Sequence, residues 1–376
     1  MADIPATHHT TSAPGSDPAW RAVSRVPVGS WDEFTRLREV VVGTATGATI
    51  PSATDSSAWL NLYPELSRAR AAGAPAGPVS SRVIGETEED LGELVRVLEG
   101  LDVTVHRAQG AADAAPFGAP GWQSTGMYAY CPRDVALVLG PTVVETASPT
   151  RARYFESFAL RHLVDGVLTA GGQWLAMPQP RLEESTYLED GSGRVRLADH
   201  EPLFEAANVL RLGRDLLYQV SGSGNERGLQ WLRSLLGLLG EGFRVHPLRN
   251  MYAGTHIDST IALLRPGLVL LNPRRVTPET VPRCFDGWEV VWCPEPAPGP
   301  VNPFDLSSPW ISMNLLMVDT DLAVVDAAHP ALVRALEHYG IDVIPLRLRH
   351  ARTLGGGFHC VTLDLTRDGG PQDYTR

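Results

Sequence analysis

The chain is poor in cysteine. Four occur in 376 residues, Cys131, Cys284, Cys293 and Cys360, and no two stand in a CxxC pair. Zinc-site spacing and a disulfide framework are therefore excluded, and the usage suits a reducing compartment, the cytoplasm. Long apolar runs are missing too. The apolar stretches are strand-sized and broken by Gly, Pro or charge, and none nears the ~18 residues of a membrane helix. The opening "MADIPATHHTTSAPGSDPAW" lacks a basic region followed by an apolar run, so it does not read as a secretory signal. Residues 1–22 are expected to form a disordered tail, with one domain over 23–376. A net charge of −11 without a basic stripe argues against nucleic acid. An acidic balance suits a cationic ligand, although it serves solubility equally well.

One pattern recurs where these signals are absent. A helix-like segment ends in Gly and an apolar strand follows at once. It is seen in "LVRVLEGLDVTVHRA", "LVDGVLTAGGQWLAMP", "WLRSLLGLLGEGFRVHPL", "VPRCFDGWEVVWCP" and "LVRALEHYGIDVIPLRL". Between these lie hairpin patterns such as "NVLRLGRDLLYQVS", "STIALLRPGLVLLNP" and "NLLMVDTDLAVVDAA", with "RDVALVLGPTVVETA" as a fourth. "REVVVGTA" and the C-terminal "FHCVTLDL" complete a fifth if the last strand closes beside the first. The chain thus reads as five strand–strand–helix–strand units in a radial α/β arrangement. The rival is an ordinary α/β sheet with an appended domain. The Pro/Ala/Ser-rich stretches 51–81 and 294–308 read as loops near a site or as solvated covers.

The candidate chemistry starts at "LGGGFHC". Three glycines deliver Cys360, either as a nucleophile or as filler behind a tight bend. On a strand His359 would point away from it, so an acid/base partner must come from elsewhere. In "GTHIDST" a spacing of two puts His256 and Asp258 on one strand face. Glu205 and Asn208 precede the strand starting at Val209, and a carboxylate there is either a solvated cap or a group that orients a His. Asp134 opens another hairpin, and Arg274 and Arg275 leave a strand in "NPRRV". Asp134, Glu205 and His256 enter the first strands of successive units. In a radial fold such positions face one axis.

Together these segments resemble the glycine/inosamine-phosphate amidinotransferase family, from about Trp31 to about Leu365. The most specific are "CPRDVALVLG", "FEAANVLRLGRDLLYQVSGSGNE", "THIDSTIALLRPGLVLLNPRRV", "WISMNLLMVD" and "TLGGGFHCVTLDL". The resemblance implies a five-bladed α/β propeller with pseudo-fivefold symmetry. It implies Cys360 as nucleophile, His256 as general acid/base, and Glu205 as the carboxylate orienting that His, where amidinotransferases carry Asp. Asp134 and Asp258 match the pair gripping the guanidinium, Arg275 the clamp for the substrate carboxylate, and Ser308 a serine near the bound substrate. The implied substrates are L-arginine and a small amine acceptor, with no metal or organic cofactor; a homodimer is the expected assembly. "LRNMYAGTHID" departs from the glycine-using members and is similar to the streptomycin-type inosamine-phosphate enzymes. The expected acceptor is therefore an aminocyclitol phosphate or another natural-product amine. The alternatives are an arginine or agmatine deiminase-like hydrolase, with water as acceptor, and a silent guanidine-binding scaffold.

Overall fold

The computed structural model describes residues 24–61, 76–110, 116–189, 194–297, 305 and 307–375. The expected tail at 1–22 lies outside the described residues, as do parts of the two Pro/Ala/Ser-rich stretches. The fold is α/β. Among the described residues it contains five three-stranded sheets of one design, in which a middle strand runs antiparallel to the first and parallel to the third.

In chain order after the first crossover the sheets pair Ala136–Leu139, Thr142–Glu145 and Gln173–Ala176; then Val209–Leu212, Asp215–Gln219 and Arg244–Leu248. Ile261–Arg265, Leu268–Leu271 and Glu289–Trp292 follow, and then Leu316–Asp319, Leu322–Asp326 and Asp342–Leu346. The fifth sheet joins the two ends of the sequence: Thr362–Arg367 pairs with Leu37–Val42, which runs parallel to Thr104–Arg107. The last strand closes beside the first, as the repeat requires.

The parallel crossovers run through helices whose spacing explains their packing. Ser81–Gly100 starts on Ser80, whose hydroxyl accepts from the Val83 N–H, and buries Leu91, Leu94 and Leu98 on one stripe. Glu226–Leu239 starts on Asn225, buries Leu229, Leu232 and Leu236, and stops at Gly240, whose φ of 73° is left-handed. The third of these sheets, Ile261–Arg265 with Leu268–Leu271 and Glu289–Trp292, departs from the expected pattern. "TPETVPRCFDG" forms no α-helix, only the 3₁₀ turns Pro278–Thr280 and Arg283–Phe285. Pro278 and Pro282 each remove a backbone donor that a helix there would use.

What positions the site is the entrance to each first strand. A short helical turn precedes every one: Pro132–Val135, Ala206–Asn208, Ile257–Ser259, Pro309–Met313 and the turn at 358–361. A buried ionic network ties the first and last of these turns together. Arg133 donates from Nε to the carbonyls of His359 and Thr362 (both 2.8 Å), and pairs with Glu33 and Asp364. Arg211, also buried, pairs with the same two carboxylates. With every member paired, the network fixes where the turns sit relative to one another.

Candidate active site

Four of the five entrance turns open onto one cleft, and the fifth, Ala206–Asn208, lies buried behind it. The cleft is lined by Asp134, Arg153, Tyr252, His256, Asp258, Ser308 and Cys360, among others. Its cavity volume is about 120 Å³.

Cys360 is not on a strand. It lies in the turn before Thr362–Arg367, 1 % exposed, with its backbone N–H on Asn314 Oδ1 at 2.9 Å. The glycines explain the approach. Gly355 takes a left-handed φ of 78° to end the Ala351–Leu354 turn, and a Cβ at Gly357 would sit 2.7 Å from the Asn314 Cβ. His256 and Asp258 are likewise not strand residues. His256 precedes the 3₁₀ turn that contains Asp258, and this turn, rather than strand alternation, brings both side chains into the cleft.

The donor atoms of Asp134, His256 and Cys360 lie within 4.8 Å of one another. Such a set has the chemistry to ligate a soft cation. His256 Nε2 bonds Glu205 Oε2, and its Nδ1 lies 3.7 Å from Asp134 Oδ1. Glu205 also accepts from Ser148 Oγ at 2.6 Å and Arg153 Nη1 at 3.1 Å. Asp134 Oδ2 accepts from Arg153 Nη1 at 2.9 Å, whereas its Oδ1 is buried with no hydrogen-bond partner. That oxygen is one place where a guanidinium N–H can land. Asp258 Oδ2 accepts from both His359 Nδ1 (2.8 Å) and the Cys360 thiol (3.3 Å). His359 therefore faces Asp258, and the His256 ring lies within 4.8 Å of the Cys360 sulfur.

These contacts set the charges. Burial disfavours a charged imidazole, but Asp134, Cys360 and Glu205 outweigh it and hold His256 well above its ordinary value. Burial would also raise Glu205; Arg153 and His256 reverse this and hold it at about 2. Asp258 is held at about 2, where burial is again outweighed, here by His359. Burial leaves Asp134 above the usual carboxylate range. Cys131 and burial, together with Asp258 and Asp134, push the Cys360 thiol up, while His256 pulls it down. A cation entering the cleft would favour the thiolate.

Ser308 lines the cleft and caps the Pro309–Met313 turn. Arg275 sits one layer back. Its Nη1 donates to Ser259 O, Ser259 Oγ and Thr260 Oγ1 at 2.8–2.9 Å, and Nη2 reaches Ser308 Oγ at 3.4 Å. Its guanidinium carbon stacks 3.4 Å from the Tyr252 ring centre. Two residues escaped the sequence reading. Arg153, in "PTRARYFE", looks like any solvated loop arginine, yet it joins Asp134, Glu205 and Glu156. Cys131, which no spacing in the chain pairs with another cysteine, is buried beside Cys360.

No family model matches the chain. In sequence it is 46 % identical over 344 residues to inosamine-phosphate amidinotransferase 1 of Streptomyces glaucescens, covering 91 % of this chain and 97 % of that protein. It is 34 % identical over 356 residues to the L-arginine:L-lysine amidinotransferase of Pseudomonas savastanoi pv. phaseolicola, covering 93 % and 96 %. In structure it matches the inosamine-phosphate amidinotransferase of Streptomyces griseus with a TM-score of 0.84 and 45 % identity, over 93 % of this chain and 99 % of that one.

Proposed function

This chain belongs to the amidinotransferase family, and on that premise we propose that it moves the amidino group of L-arginine, through a Cys360-bound intermediate, to an aminocyclitol (inosamine) phosphate or a similar natural-product amine. The arrangement that carries the reading is the meeting of the Cys360 sulfur, the His256 ring and Asp134 within 4.8 Å. The acceptor class rests on the 46 % identity to a relative that bears that name.

The chemistry needs each group. A guanidinium is resonance-stabilised and a poor electrophile. Asp134 and Asp258 grip it from two sides and present its central carbon to sulfur. The bound cation favours loss of the Cys360 proton. The thiolate attacks the carbon, the C–N bond to ornithine breaks, and the His256 imidazolium protonates the departing amine. An amidino-thioether remains. In the second half the acceptor amine gives a proton to His256 and attacks that carbon, and the C–S bond breaks to regenerate the thiolate. Glu205 keeps the imidazole aimed. Arg275, reached past Tyr252 and Ser308, takes the arginine carboxylate. No metal or organic cofactor enters.

We read the five sheets as blades of a five-bladed α/β propeller spanning 23–376, with the cleft on its axis and the protein working in the cytoplasm. The test is product identity. With arginine and an inosamine phosphate, ornithine and the amidinated cyclitol should form in equal amounts. Citrulline in place of both would instead assign the hydrolase reading.

A further inference from the structure

We propose that Cys131 and Cys360 form a reversible disulfide, a redox-modification site in which a peroxide converts the nucleophile into a protected, inactive form. The inference rests on reading Cys360 as the nucleophile only for its effect on turnover; the cross-link itself stands on geometry.

Cys131 immediately precedes the Pro132–Val135 turn that carries Asp134, and it is 1 % exposed. The transfer chemistry gives it nothing to do. Its sulfur faces Cys360 across Gly356. The point that a Cβ on Gly356 would occupy lies 2.5 Å from Cys131 Sγ and 3.1 Å from Cys360 Cβ. Any side chain there would wedge the two cysteines apart, and glycine leaves nothing between them. Chain positions 229 residues apart are thereby brought side by side, the approach from which a disulfide can close.

The pair is asymmetric in access. Cys360 lines the cleft and Cys131 does not. A peroxide entering the cleft therefore meets Cys360 first. The Cys360 thiolate attacks one peroxide oxygen, the O–O bond breaks, and a sulfenic acid forms with release of hydroxide, which takes up the thiol's proton to become water. The Cys131 sulfur then attacks the sulfenic sulfur, loses its proton, and expels a second water as the S–S bond closes. Two thiols and one peroxide give one disulfide and two waters. A dithiol reductant reverses this by exchange. Without Cys131 the sulfenic acid has no neighbouring thiol and proceeds to the sulfinic acid, which a dithiol does not reduce. Cys284 and Cys293 pack in a separate apolar cluster and serve as internal controls.

The test treats the full-length reduced enzyme with hydrogen peroxide. It follows turnover before and after dithiothreitol and maps cross-links in a non-reducing digest. We expect loss of most turnover, a Cys131–Cys360 peptide pair, and recovery on reduction. Cys131→Ser should keep its basal turnover, lose it to peroxide, and fail to recover, with Cys360 found as the sulfinic acid. Irreversible loss in the wild type, equal recovery in Cys131→Ser, or a cross-link through Cys284 or Cys293 would overturn the proposal. Should Cys131→Ser not fold, the wild-type cross-link map and its reversal decide alone. A cross-link that forms without changing turnover would leave the disulfide standing and count against Cys360 as the nucleophile.

Discussion

Consider replacing Arg153 with Gln. The side chain is 2 % exposed and joins three carboxylates: Asp134 at 2.9 Å, Glu205 at 3.1 Å and Glu156 at 2.7 Å. At an effective dielectric of about 20, one such contact near 3 Å is worth ~5 kcal/mol of Coulomb attraction. The cost of burying the charges offsets much of this, and breaking a buried pair typically costs about 3–5 kcal/mol. Glutamine would leave the carboxylates facing one another. Asp134 and Glu205 would lose their register with the guanidinium and with His256. A comparable loss at the transition state lowers kcat/KM by about 10²–10⁴-fold. Relief comes from proton uptake. Burial already raises Glu156 to about 7 in spite of Arg153, and without that cation it moves higher. The variant therefore binds a proton that the wild type has released above pH 7, and its melting-temperature deficit should widen as pH rises past 7. Arg153→Lys keeps the charge but not the fork, so it should recover more stability than turnover. Steady-state ornithine release and melts at several pH values are the assays. A Gln variant with wild-type turnover and a pH-independent deficit would refute the reasoning.

Cys360→Ala should abolish turnover while calorimetry still detects arginine binding, because Asp134 and Asp258 do the holding; a folded variant that no longer binds contradicts those roles. Arg275→Ala should weaken arginine by about 10–100-fold, as expected for losing one charged pairing, and agmatine far less, because agmatine has no carboxylate. Equal losses for the two ligands would remove Arg275 as the clamp. Glu156→Gln should flatten the pH dependence of stability. A folded value of about 7 against an ordinary 4.5 means that Glu156 contributes about 3 kcal/mol below pH 4.5, and that this is lost as pH rises through 7. Melts that keep the same slope in the variant would contradict this.

The repeat was legible because local signals mark it. Gly171 and Gly240 cap helices in the left-handed region, as "TAGGQW" and "LLGEGF" suggested. The fourth helix was misread because its apolar spacing outweighed two prolines. Asp134, Glu205, His256, Asp258 and Cys360 could be named from the chain because each sits beside a recognisable strand entrance. Their geometry could not. His256 and Asp258 share the cleft through a 3₁₀ turn, and His359 turns inward to Asp258. Arg153 and Cys131 matter only through partners far along the sequence, and no local pattern reports such contacts. Arg275 is tied to the cleft through Tyr252 and Ser308, contacts that its place in "NPRRV" does not report.

The most direct test is the mass of the Cys360 peptide after brief incubation with arginine and no acceptor, followed by an acid quench. The account predicts a peptide heavier by one amidino group, ornithine released in equal amount, and the adduct discharged when an inosamine phosphate is added. Arginine consumed with the Cys360 peptide unmodified at every time point, or an adduct that no amine can discharge, would contradict it.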